Sequence, residues 1–480
     1  SERHDWPVST DSERSTGPSD GSFNGYPVQL RQGIPFHSSV HCVGETHNPD
    51  TAWMYRSCEF TNLCLDIQTK EFFVVESQTE QELQKKPIPQ AYVSTQLSSP
   101  NNTAGSTNLT VALGGINPRW VGKDFNQGIH KVKWFPKRLA VPPLQYYELD
   151  SNVVLVPFHS FAAHNVGHML WDDFLPIFTL LQIFGWSHLI ETFASSLPRK
   201  QHLLLLRVDT LPLLYGTCEM RRKKAKQCAE NFEKFLPLLG VDPQTFSTLK
   251  SVQWQPNDNS SPTSIVCAKH AMAGLGMLTD HGLKDHGWLM PKETHSVQNT
   301  GKGALLYQFR NALLRNLDLP ILPPSRTAVG SPIQLVLSAH SSGDPPRDVH
   351  FLNQQKVLAQ AFPQLSIQHV ELSKMGLREQ VELVSQTNIF VSTCGGGSMT
   401  ATFLPKGASL ILYYNEDGGY DFANNFNLTG DPAFLDWDLF NNMAYLRVHW
   451  LPIGSMNTRE GWETLALLIR HELEIMESEL

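Results

Sequence analysis

His164, His168 and Asp172 stand four residues apart, with Pro176 one step further on. On a helix, successive members of such a series turn by roughly 40°, so the two imidazoles and the carboxylate lie along one slowly winding face. An imidazole beside a carboxylate is the equipment of general acid–base catalysis, and either His168 or Asp172 is a candidate base. The histidine spacing also matches that of zinc proteases. Asn165 stands where that motif needs its glutamate base, so the zinc-protease reading fails. A plainer alternative is structural, with His164 at the helix end and His168 satisfied in the core. Asp173 adds a second carboxylate about 100° round the helix from Asp172, so the two need not share one ion.

A second group lies far along the chain. Cys394-Gly395-Gly396-Gly397-Ser398 follows an apolar run and precedes a helical-looking segment. Glycines at a strand-to-helix turn let backbone N–H groups approach a ligand where the helix start favours a phosphate. They also serve close packing alone. Gly396-Gly397-Ser398-Met399-Thr400 resembles a serine-hydrolase nucleophile elbow, but Thr400 replaces its last glycine, and His449 and His471 lack the setting of a partner base. His340 and Arg347 bracket a polar, proline-rich loop in which a guanidinium can fork onto diphosphate oxygens or simply face solvent. Asp436-Trp437-Asp438 reads more simply as a helix start, where aspartate caps well, than as a metal-binding pair.

Both groups need elements to hold them. A buried-strand run over 152–159 feeds a helix over 164–184, with further strands predicted at 202–208 and 264–268 and helices at 218–239 and 304–317. The Pro-rich segment 317–332 cannot continue a helix and marks a boundary. Beyond it the pattern alternates: strand 333–338, helix 353–361, strand 366–371, helix 377–385, then the strand, glycine loop and strand of 388–415. Such alternation makes a parallel sheet with ligands at the carboxyl ends of its strands, where His340 and Gly395 to Ser398 fall. A long amphipathic helix from Arg459 closes the chain. The expected organisation is α/β: a flexible tail over 1–27, an acceptor-side domain over 28–322, a second domain over 323–458 and a final helix over 459–480.

At 480 residues the chain exceeds what one core usually supports. A net charge of −8 with 18% charged residues offers no basic field for nucleic acid, and no run of 18 apolar residues spans a bilayer. The Ser-, Asp- and Gly-rich start is expected to be the remnant of a stem, with any signal or membrane anchor upstream. Six cysteines (Cys42, Cys58, Cys64, Cys218, Cys228 and Cys267) precede Cys394. Their clustering predicts disulfides, and Cys58-x5-Cys64 lacks the short spacing of structural zinc sites. With acceptor triplets at Asn101, Asn108, Asn259 and Asn427, this predicts an oxidising secretory lumen.

Read together, these pieces resemble glycosyltransferase family 61, which includes plant core xylosyltransferases, the EGF-domain O-GlcNAc transferase and the O-mannose N-acetylglucosaminyltransferase. The resemblance covers about residues 40–450 and rests on His168-x3-Asp172-x3-Pro176-x-Phe178 after a strand. It rests also on the glycine loop followed by Phe403-Leu404-Pro405-Lys406-Gly407, the early cysteines, and Cys267 with Gly274 and Gly276. Cys394 replaces a histidine found in many relatives, and His340 and Arg347 stand for a two-arginine loop. The resemblance implies a GT-B architecture, two Rossmann-like parallel-sheet domains facing across a cleft. It implies inverting transfer of a sugar, xylose or N-acetylglucosamine, from a UDP-sugar to a glycan or glycoprotein acceptor, without a metal. It also implies Asp172 and His168 as the catalytic pair and His164, Asn165 and Asp173 on the acceptor side. His340, Arg347, Gly395, Gly396, Gly397 and Ser398 would hold the donor. A Golgi or endoplasmic-reticulum enzyme of type II topology fits this picture. Two other readings remain: a non-catalytic carbohydrate- or nucleotide-binding protein of the same fold, and a serine esterase.

Overall fold

The computed structural model describes residues 20–34, 36–44, 56–75, 110–113, 132–160, 162–187, 203–209, 222–257, 263–274, 302–321, 332–339, 350–395, 397–414 and 439–478, with 189, 218 and 276. The first half carries β1 (Gly21–Phe23), β2 (Tyr26–Gln32), β3 (Ser39–Gly44), β4 (Arg56–Asp66), β5 (Glu71–Val75), β6 (Val111–Leu113) and β7 (Val132–Trp134). It continues with β8 (Lys137–Leu139), β9 (Gln145–Leu149), β10 (Val154–Phe158), β11 (Leu203–Arg207), β12 (Ser247–Thr248), β13 (Trp254–Pro256) and β14 (Ile265–Gly274). Its helices are α1 (166–183), α2 (Arg222–Phe235) and α3 (Gly303–Asn316).

Twelve of these strands form one sheet in the order β12-β11-β10-β14-β9-β2-β1-β13, with β4 also on β14 and β3, β5 and β8 attached through it. The strands from β12 to β9 pair in parallel. They read as continuous apolar runs, such as Leu203 to Leu206, because both of their faces are covered. The hairpins added at the sides are antiparallel, so a parallel centre is extended into a mixed sheet. A correction concerns the start of the chain. Asn24 and Gly25 have φ of 48° and 81°, the left-handed pair of a two-residue hairpin turn, and Phe23 pairs with Tyr26 across it. Both aromatics are buried, so residues 21–27 belong to the sheet and not to a flexible tail.

The second half carries β15 (Gln334–Ser338), α4 (Leu352–Ala361), β16 (Ser366–Val370), α5 (Leu377–Ser385), β17 (Ile389–Thr393), β18 (Ser409–Tyr414), β19 (Arg447–Pro452) and α6 (Arg459–Ser478). Its five strands are all parallel, in the order β16-β15-β17-β18-β19. Connections leave β15 and β17 in opposite directions across the sheet, which opens a crevice at their carboxyl ends. Alternate residues settle the layers. Leu335, Ile389 and Ile411 pack with α4 and α6, whereas Val336, Phe390 and Leu410 join β10, α1, α2, α3 and α5 in one continuous apolar core. Helices of the first half thus share a core with the second sheet.

Three disulfides tie the first half: Cys42–Cys58 between β3 and β4, Cys64–Cys267 between β4 and β14, and Cys218–Cys228 at α2. Both cross-strand pairs join residues directly opposite in register. All six cysteines expected to pair do so, Cys394 is a buried free thiol, and the pattern fits an oxidising secretory compartment. Among the described residues, no helix is long and apolar enough to cross a membrane.

Candidate functional site

Helix α1 begins where Asn165 caps it, its side chain accepting from the Gly167 N–H at 3.0 Å. Asn231 of α2 ties down the approach, donating through Nδ2 to the carbonyls of Ala163 (2.7 Å) and His164 (3.1 Å). After Val166–His168 the helix widens into a π turn over Met169–Phe174, with the Leu175 N–H reaching Leu170 O, before Leu175–Ile183 resumes α geometry. Pro176 gives a reason. It has no N–H for the carbonyl four residues back, and its ring needs room there, which the wider turn supplies. Gly276 fits against the same point: with φ of +70°, a Cβ on it would lie 2.2 Å from Pro176 O.

Within this helix, His168 Nδ1 lies 2.7 Å from Asp172 Oδ2, and Asp172 is buried. The second carboxylate turns elsewhere: Ser160, just past β10, donates to Asp173 Oδ2 at 2.6 Å. So Asp172 and Asp173 serve different partners, as their angular separation predicts. Asp173 and Asn165 hold α1 in place, and His164 is half-buried at its approach.

The glycine loop leaves β17 with the Cys394 N–H on Tyr413 O (2.9 Å) and Gly395 at φ 118°, which glycine alone adopts readily. Ser398 is fully buried and folded into this turn, its Oγ donating to Gly395 O at 2.6 Å and accepting from Gly395 N at 3.2 Å. One expectation is corrected here. The following helix is a six-residue 3-10 segment, Ser398–Phe403, with too few aligned peptides for a strong dipole. The Ser398 hydroxyl is engaged within the turn, and His449 is engaged with Glu472. Gly396, His340 and Arg347 lie outside the described residues, as do Asp436, Trp437, Asp438 and the four acceptor asparagines.

What brings the two groups together is a set of buried contacts on Thr402 and Phe403. Trp171 Nε1 of α1 donates to Thr402 Oγ1 (3.3 Å), Tyr445 donates to Thr402 O (3.0 Å), and Arg310 Nε of α3 donates to Phe403 O (3.2 Å). Burial pushes the Tyr445 phenol far up, so it remains a neutral donor, and pushes the Arg310 guanidinium down. Gly167 lies close to the same loop: a Cβ there would sit 3.2 Å from the Met399 side chain and from Asn165 Oδ1, each of which would have to give by a few tenths of an ångström.

Between these elements lies a cavity of about 220 Å³. One water needs only roughly 10–15 Å³ on this measure, so the space suits an organic ligand. Val166, Met169 and Leu170 of α1 and Asn231 and Lys234 of α2 form one side; Ser338, Gln380, Gly397, Met399 and Thr400 form the other. Ser338 ends β15, which places the cavity at the crevice between β15 and β17. Gly397 lines it, whereas His168 and Asp172 do not: on the helix they are displaced from the face carrying Val166, Met169 and Leu170. Sequence reasoning missed Ser338, Lys234 and Gln380. Only Ser338 left a signal, as the last residue of the first strand in a βαβ series.

No protein-family model matches the chain, and no curated protein matches it. Among solved structures it is similar to the bacterial iron-containing dodecameric glycosyltransferase TibC from enterotoxigenic E. coli H10407, over 80% of this chain and 99% of that chain. The identity is 12% and the TM-score 0.22, at which level the likeness carries no argument about fold or chemistry.

Proposed function

We propose that the protein is an inverting glycosyltransferase of the family 61 kind. It would move xylose or N-acetylglucosamine from a UDP-sugar to a glycan or glycoprotein acceptor in the Golgi or endoplasmic reticulum, as a type II membrane protein. The two sheets would be the halves of a GT-B architecture divided near residue 322. One observation carries the reading: the helix that closes over the crevice of the five-stranded sheet also holds, displaced from the face that lines the cavity, the half-buried His168 against the buried Asp172.

In this reaction the acceptor oxygen attacks the anomeric carbon as the bond to the diphosphate breaks, inverting the centre. The acceptor proton goes to His168 Nε2, while Asp172 at Nδ1 fixes the tautomer and stabilises the imidazolium. Negative charge leaves on the diphosphate, for which Arg347, His340 and the glycine loop of Gly395, Gly396, Gly397 and Ser398 are the proposed partners, with no metal required. Transfer is therefore expected to survive EDTA; strict Mn²⁺ dependence would return Asp172 and Asp173 to consideration as metal ligands.

The test is a calorimetric screen against nucleotides and nucleotide sugars, followed by turnover assays with glycan acceptors. Binding of UDP with transfer from a UDP-sugar is the expected result. Binding without any turnover would make the protein a nucleotide-binding relative of such enzymes, and no binding would overturn the reading.

A further inference from the structure

Helix α2 opens on Arg222-Lys223-Lys224, with no acidic residue in its first turn. Cations are unfavourable there, because the free N–H groups of a helix start already carry partial positive charge. The helix is held in spite of them: the Cys218–Cys228 disulfide pins its first half, and Phe232 stacks on Phe246 with ring centroids 4.8 Å apart. At about 100° per residue, Lys223, Gln227 and Lys234 fall within roughly 40° of one another, with Lys224 and Asn231 just beside them. Glu230 and Glu233, the two acids of α2, lie along the opposite edge of this strip with Lys226, which contacts Glu230 at 3.5 Å. Lys223, Gln227 and Lys234 are exposed, and among the described residues no carboxylate pairs with Lys223, Lys224 or Lys234. The strip leads into the site. Asn231 and Lys234 line the cavity, and Asn231 holds the Ala163 and His164 carbonyls, one turn before His168.

We infer that this strip of α2 seats an acidic glycan acceptor, a sugar chain that carries carboxylates. Lys223 and Lys224 meet its acid groups, Gln227 meets its hydroxyls, and the end that enters the site passes Lys234. This rests on the transferase reading above and adds to it the chemical class of the acceptor. With a net charge of −8 the chain as a whole repels a polyanion, so a local row of cations decides where one binds. The rise of the helix puts Lys223 and Lys234 about 16 Å apart along its axis, which suits an extended oligomer and not a single charged group. A side-chain amide both donates and accepts, so an amide between ammonium groups matches a ligand with hydroxyls beside its acids. The charges kept at the helix start are then a local cost offset by binding.

Calorimetry without nucleotide tests this, on the wild type, on the double variant Lys223→Gln with Lys224→Gln, and on Lys226→Gln. The ligands are an oligogalacturonate, a neutral xylo-oligosaccharide of equal length and an oligoglutamate. The wild type is expected to bind the oligogalacturonate most tightly, with affinity falling as salt is raised. The double variant is expected to weaken it about tenfold, with Tm unchanged or raised, because two cations leave the helix start. Lys226→Gln, on the acid-bearing edge, is expected to change it less than about twofold. Equal binding by the wild type and the double variant, an equal loss in Lys226→Gln, or tighter binding of the oligoglutamate overturns the inference. A protein that binds the oligogalacturonate as described but no UDP loses the transferase reading and keeps the acidic-glycan seat. One that transfers sugar to neutral acceptors without this binding loses the seat alone.

Discussion

His168 and Asp172 are not equally placed to meet a substrate. The histidine side chain is 11% exposed and the aspartate 3%, so in the proposed transfer an incoming hydroxyl would reach the imidazole first, with the carboxylate acting through it. Either His168→Ala or Asp172→Asn is expected to lower kcat by about 10²-fold or more while the Kd for UDP stays nearly constant. Melting temperature measured alongside separates this from a structural role, which predicts loss of binding and activity together with a lowered Tm. If both variants keep full turnover, the base lies elsewhere.

On the scale of elements, the π turn of α1 and the strand end that meets it act as one unit. Gly276 has a positive φ and backbone on its Cβ side, whereas Gly33, at φ +64°, faces open space. The two positions separate conformational strain from collision. Gly33→Ala is expected to cost about 1 kcal/mol, the strain alone, and Gly276→Ala roughly 3 kcal/mol or more, because Pro176 O and Leu180 N must also be displaced. Urea titration of both variants measures the difference, and equal losses would show that α1 can shift away from the strand end.

The whole molecule is closed by α6, and Glu472 is its anchor. Fully buried, it accepts from Arg447 Nε at 2.6 Å, sits 2.9 Å from His449 Nε2 and is bonded to Ser409, which ties the last helix to β18 and β19. Burial alone would raise its carboxyl, but the hydrogen bonds from His449, Ser409 and Arg447, with the Arg447 charge, bring it down from 4.5 to about 2. A folded value below the unfolded one means that the stabilisation is complete above pH 4.5 and drains away as pH falls toward 2. Glu472→Gln should therefore lose about 3 kcal/mol at neutral pH and show a shallower decline in Tm on acidification. At the same scale, peptide mapping without reduction is expected to yield the Cys42–Cys58, Cys64–Cys267 and Cys218–Cys228 pairs. Cys394 should react with an alkylating agent only after denaturation; a bridged Cys394 would contradict the buried turn.

Local chemistry was legible in the residues themselves. The alternation beyond residue 332 yields β15 to β18 with α4 and α5 because apolar periodicity is a property of single segments, and the four-residue spacing of His168 and Asp172 brings them together because one helix carries both. The cysteine count likewise announced disulfides, though not their pairing, which depends on the register of β3, β4 and β14. Asn24-Gly25 was a readable hairpin signal that the polar composition around it masked. β19 escaped notice because its residues are half-buried and mix Arg447 and His449 with Val448 and Trp450. The cavity, by contrast, was beyond any local reading. It draws on α1, α2, α5, the end of β15 and the glycine loop, segments more than 200 positions apart, and strand order alone puts Ser338 beside Gly397. The fate of Ser398 was equally hidden, since a serine in a glycine loop looks the same in sequence whether its hydroxyl faces a ligand or, as here, closes onto Gly395. Sequence determined which groups exist and which elements carry them; tertiary packing decided which of them share one space, because desolvation and hydrogen-bond partners are set by neighbours that the chain order does not name.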